Sequence, residues 1–99
     1  MSVNEALALL EIGNLSPALI VADHCAKAAG VHILGIESAD SAAQCIKLVG
    51  SPDDVREAAL AGAALGRKMG TTAEFVVMAG PTAETQKLAA QKPLYNPLL

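Results

Sequence analysis

A chain of 99 residues is the size of one domain, large enough for a modest core and too small to divide into two independently stable units. Hydrophobic residues supply 53% of it but aromatics only 2%, so the core must be built from Ala, Leu, Val and Ile, and burial against further copies of the chain is expected to add stability. A net charge of −3 without a Lys/Arg cluster excludes the concentrated positive surface that nucleic acid requires, and no apolar run approaches the roughly 20 residues of a membrane span. Met1 to Leu10 has no basic stretch ahead of its apolar part, so a soluble cytoplasmic protein is expected.

In chain order, Glu5 to Ile12 is a short apolar run closed by Gly13-Asn14 and reads as a buried strand. Ser16 as a cap, Pro17 at the first helical position and Gly30 as a left-handed stop predict a helix over 17–29. Val31 to Glu37 and Ala43 to Val49 are β-rich runs joined by the small polar stretch 38–42, a hairpin with an elaborated loop. Ser51-Pro52-Asp53-Asp54 announces a second helix, with a cap, an N1 proline and two acids at the positive end of the dipole. Arg67, Lys68 and Gly70 close it. Along this helix Val55, Ala58, Ala59, Gly62, Ala63 and Gly66 recur at spacings of three and four, a nearly smooth stripe that can lie close to a sheet. Thr72 to Ala79 is a fourth strand ended by Gly80-Pro81, and Thr82 can cap a short helix running to about Ala90. The two prolines in Lys92 to Leu99 predict an irregular tail.

The order β-α-β-β-α-β defines an α/β (α+β) chain of the split βαβ, ferredoxin-like type: a four-stranded antiparallel sheet with both helices on one face, followed by a short C-terminal helix and tail. The domain is expected over 1–90 and the tail over 91–99. Many functions share that architecture, so the side chains must decide. An enzyme or metal site would have to be built from His24, His32, Cys25 and Cys45. Neighbours on a helix such as His24 and Cys25 point about 100° apart, which is poor geometry for a nucleophile and its base. No spacing of His and Cys matches a metal site, and the two cysteines read as reduced thiols. The glycine turns lack the pattern and the lysine of a phosphate-binding loop. No catalytic residue, metal or cofactor is therefore expected.

Several fragments, in ungapped order, resemble the bacterial microcompartment shell domain. They begin with Glu5-Ala6-Leu7 and Glu11, then Leu15, Pro17-Ala18 and Ala22-Asp23. The more specific stretch is Asp23-His24-Cys25-Ala26-Lys27-Ala28-Ala29, which is similar to the family's Asp-x-x-x-Lys-Ala-Ala segment. Val31, Gly35-x-Glu37, Gly50 and Ala61-Gly62 follow, and the likeness runs from about Glu5 to Pro81.

The resemblance implies a structural protein: a homohexameric ring of wedge-shaped subunits with a narrow pore, joined edge to edge with other shell hexamers and paralogues into the facets of a polyhedron around encapsulated enzymes. It implies that Ser38, Ala39, Asp40, Ser41 and Ala42 line the pore, where metabolites pass, and that Lys27 makes the ring-to-ring contact, its aliphatic stem packed against a symmetry mate. An Asp40 ring would hold hydrated cations, while the Ser38 and Ser41 hydroxyls offer neutral hydrogen bonds. Two departures stand out: Gly80 occupies a position where the family often has an Arg that helps to lock ring edges, and the loop 38–42 lacks the commoner glycine-rich sequence. The competing reading is a small-molecule-sensing regulatory module of the same fold, which would bind its ligand between subunits.

Overall fold

A computed structural model describes residues 5–39, 42–80 and 83–90 of the chain. Four strands, β1 (Ala6–Ile12), β2 (Val31–Ser38), β3 (Gln44–Gly50) and β4 (Ala73–Ala79), form one antiparallel sheet in the order β2-β3-β1-β4. Between them run α1 (Leu15–Ala26) and α2 (Pro52–Lys68), and α3 (Ala83–Ala90) follows β4. The antiparallel pairings of β1 with β3 and β4, and of β3 with β2, leave β1 parallel to β2 and β3 parallel to β4. Each parallel pair has another strand inserted between its members, which is the split βαβ arrangement read from the sequence. Among the described residues no helix is long and apolar enough to cross a membrane.

Strand alternation sorts the sheet into two faces. Ala6, Ala8, Leu10 and Ile12 of β1, with Ile46 and Leu48 of β3, point to the side covered by α1 and α2 and are fully buried there. From the helices come Ala18, Val21, Ala22 and Cys25 of α1, and Val55, Ala58, Ala59 and Ala63 of α2. All six residues of the predicted smooth stripe on α2 are buried. Its glycines set the distance of approach. A Cβ at Gly62 would stand 2.9 Å from Leu10 Cδ2 and 3.0 Å from Cys25 Sγ, closer than carbon and sulfur tolerate, so any side chain there would push α2 off both α1 and β1.

The second helix obeys its sequence signals. The Ser51 hydroxyl accepts a hydrogen bond from the Asp54 amide at 3.2 Å, Pro52 opens the first turn, and Gly70 at φ +85° takes the left-handed conformation that side-chain-bearing residues avoid. The first helix departs from the expected 17–29. It starts at Leu15, and the residue before it, Asn14, uses its side-chain amide to donate to Thr71 Oγ1 at 3.2 Å instead of capping. Ser16 and Pro17 thus fall inside the first turn, where a missing N–H costs no helical bond. The helix also ends earlier, at Ala26, with Lys27 as its C-cap. Gly30 is left-handed as expected, φ +77°, but it serves the turn into β2, not the helix end.

The hairpin is tighter than its sequence suggests. Ser38 is still in β2, paired with Gln44, and the Ala39 amide donates to the Ala43 carbonyl at 2.9 Å. A bulge between Ile33 and Gly35 makes Leu34 an extra residue on the edge strand and leaves it exposed. The expected cap at Thr82 and the tail from Lys92 lie outside the described residues.

Candidate functional site

The strand registers fix where the singled-out residues stand relative to one another. One end of the sheet is the row Val31, Gly50, Ala6, Ala79, and the other is the row Ser38, Gln44, Ile12, Ala73. Lys27, in the connection that leads into Val31, belongs to the first end, as does Gly80, which follows Ala79. The hairpin loop belongs to the second. Six residue steps of strand separate the two ends, about 20 Å at the rise of a β-strand. Lys27 and the described loop residues Ser38, Ala39 and Ala42 therefore occupy opposite ends of the subunit.

At the first end, Lys27 is open to solvent, its side chain 76% exposed, and its Nζ lies 3.0 Å from Asp23 Oδ2 one helical turn back. An exposed pair of this kind is worth at most about 0.5 kcal/mol, so it does not hold the side chain in place. Beside it, between the C-terminal part of α1 and the start of α2, lies a cleft of about 340 Å³ lined by His24, Cys25, Asp54 and Glu57 among others. The combination of thiol, imidazole and carboxylates invites an enzyme reading, and the thiol argues against it. Cys25 Sγ points inward to the Ala58 carbonyl, at 3.7 Å, and burial pushes its pKa up to about 11, away from the thiolate that a nucleophile needs. Among the described residues no three His, Cys, Asp or Glu side chains gather closely enough to hold a metal ion.

At the second end, the described loop residues are Ser38 and Ala39, both half-buried, and the exposed Ala42. Asp40 and Ser41 lie outside the described residues. Next to the loop, Gln44 is buried on the helix-covered face, and its Oε1 has no hydrogen-bond partner among the described residues.

The face of the sheet away from α1 and α2 carries features that the sequence reading passed over. Lys47 stands between the core residues Ile46 and Leu48 and so points to the other side, where it is buried. Its Nζ lies 3.0 Å from Glu37 Oε2 and donates to the carbonyl of Ala89 at 3.0 Å. That carbonyl belongs to the last turn of α3, so the lysine meets the negative end of the helix dipole and ties α3 to the outer face. A cleft of about 220 Å³ remains between α3 and the strands, lined by Leu7, Met78, Thr85 and Leu88 among others. Further along the sheet, beyond α3, Glu37, Cys45, Glu11 and Glu74 form one continuous cross-strand row. The Cys45 thiol is raised by burial first and then by Glu37 and Glu11, against the opposing pull of Lys47. The signal for this face was present in the alternation of Leu7, Leu9 and Glu11 with the core residues of β1.

Comparison with known proteins adds the following. A family profile described as the BMC domain matches residues 6–81. No protein with a curated description matches the sequence. Among solved structures, a microcompartment protein from Desulfitobacterium hafniense DCB superposes with a TM-score of 0.75 at 18% sequence identity. The match covers 92% of this chain and 50% of the other, so the chain spans half the length of that protein.

Proposed function

The chain belongs to the BMC domain family, and from that premise we propose that it is a structural tile of a bacterial microcompartment shell in the cytoplasm. Six copies close into a ring, with the loop of Ser38, Ala39, Asp40, Ser41 and Ala42 around the axis and Lys27 on the rim. Rings meet edge to edge, with each other and with paralogues, and enclose enzymes whose small metabolites pass the pore. The domain spans 1–90 and carries a tail over 91–99.

The observation that supports this reading best is the placement of Lys27 and the loop at opposite ends of the sheet. A radial wedge needs one end for the axis and one for the rim. The pore and rim residues that the resemblance assigns are compatible with that requirement. Lys27 suits a rim contact chemically, because its long apolar stem is uncommitted and only its tip meets Asp23. With Gly80 at the same end in place of the family's Arg, the rim depends more heavily on Lys27.

Light scattering on a sizing column tests the ring: six chains of 10.1 kDa give a mass of about 61 kDa, whereas a monomer or dimer would remove the reading. Lys27→Ala tests the rim. It should leave the ring mass unchanged and abolish extended sheets in electron micrographs, and broken rings would contradict the assignment.

A further inference from the structure

We propose that α3 is a strap latched by Lys47, which lifts from the outer face of the sheet and returns to it while the rest of the subunit stays folded. Its route is the first reason. The chain leaves β4 at Ala79, passes Gly80 at φ +61°, and ends α3 with contacts to β2 and with the Ala89 carbonyl on Lys47 of β3. The helix therefore crosses the sheet from the β4 edge towards the β2 edge. Its eight residues span about 12 Å and three strand spacings about 14 Å, so it reaches from one side to the other. It is tied by the chain at its start and by Lys47 at its end, and Gly80 supplies a swivel that side-chain-bearing residues would resist.

What the strap covers is the second reason. Leu7, Leu9 and Glu11 alternate with the core residues of β1 and so face outward, and their exposure rises along the strand: Leu7 is 1% exposed, Leu9 is half-buried and Glu11 is exposed. Leu7 lines the cleft beneath α3 together with Thr85 and Leu88, so its burial comes from the helix above it. The fit is loose, because about 220 Å³ stays open under α3 and Leu88 is 67% exposed. A sealed interior holds few voids larger than a water molecule, and a helix perched on such a cleft loses little apolar burial on lifting. The latch suits the same motion. Lys47 and Glu37 stand on adjacent strands, so their ion pair stays behind on the sheet, and the bond that breaks at this end is the one to the Ala89 carbonyl. The ammonium keeps its carboxylate and water replaces the carbonyl, which makes opening reversible. Lifting bares Leu7, Leu9 and Met78, an apolar strip across β1 and β4 that the fold can show or hide.

Two measurements on the full chain test the strap. In the parent, hydrogen exchange at the α3 amides should depend only weakly on urea, since lifting one helix bares little surface, while the amides of β1 and β3 should show the steep dependence of whole-chain unfolding. In a Cys25→Ala, Cys45→Ser background, the thiol of Leu7→Cys should react with iodoacetamide more slowly than a free thiol, and adding Lys47→Met should speed it about fivefold. The direction separates the strap from simple electrostatics, because losing a nearby cation weakens the thiolate and by itself slows the reaction. Exchange in α3 as steep in urea as in β1, labelling of Leu7→Cys at the rate of a free thiol, or a Lys47→Met variant that labels no faster than its background each overturns the proposal.

Discussion

The two faces of the sheet are made from the same strands in alternation, yet they solve different problems. The inner face is uniformly apolar, and α1 and α2 seal it so closely that Gly62 leaves no room for a methyl group. The outer face mixes Leu7, Leu9 and Val76 with Glu11, Glu74 and Lys47, and α3 covers only part of it. Complete burial on one side is what makes the single chain fold. Incomplete burial on the other, patterned with charge, leaves a surface that can select a neighbour, because charge selects orientation where area alone does not.

If that division of labour holds, changes on the inner face should act on folding. Leu10 is fully buried between α2 and β1's neighbours, so Leu10→Ala removes contacts that nothing can replace. It should cost about 3 kcal/mol in urea denaturation. A loss below about 1 kcal/mol would mean that the inner face is far looser than its glycine contacts imply.

The inner face also has a chemical signature. Burial holds the Cys25 thiol protonated, with its pKa raised from 9.0 to about 11. The folded state then keeps a proton that the unfolded state releases, so the contribution to stability is complete below about pH 9 and is lost as the pH rises through about 11. Cys45 is raised as well and acts in the same direction. The difference between the parent and Cys25→Ala isolates the inner thiol. Thermal melts should show the parent losing more stability than the variant between these two pH values, and parallel curves would show that Cys25 is not sealed.

On the outer face, the attachment of α3 should be separable from the core. Lys47→Met keeps the apolar stem and removes the ammonium that joins Glu37 to the Ala89 carbonyl. Glu37 is partly exposed and can turn to water, so the expected loss is about 1 kcal/mol. Hydrogen exchange should quicken in α3 while the amides of β1 and β3 stay protected, and faster exchange throughout would show that the outer anchor and the core are one unit.

How much of this was legible beforehand follows the same division. Elements whose signals are local came through: Ser51, Pro52, Gly70 and the smooth stripe of α2 act within a few residues, and the structure uses each of them. The start of α1 did not, because Asn14 spends its side chain on Thr71, 57 residues away, and no local rule anticipates a competing partner at that distance. The place of α3 on the outer face was invisible for a related reason. It depends on Lys47 meeting a carbonyl 42 residues later in the chain. The loop 38–42 and Lys27 were taken from a resemblance, and only the strand registers reveal that Lys27 stands at the opposite end from Ser38 and Ala39.

The finest test of the comparison sets folding and association against each other at one residue. Glu74 faces Glu11 across the strand pair, so Glu74→Lys turns a repulsive neighbour into an attractive one. Both side chains are exposed, and solvent limits the gain to a few tenths, about 0.3 kcal/mol, in the stability of the isolated subunit. A face that served folding alone would show that small gain and nothing else. A face kept for a neighbour should show the gain in urea denaturation at low concentration together with a weakened ring in light scattering, because the charge presented to that neighbour has changed sign. An acid opposite another acid is a cost to the monomer that a cation on a partner would remove.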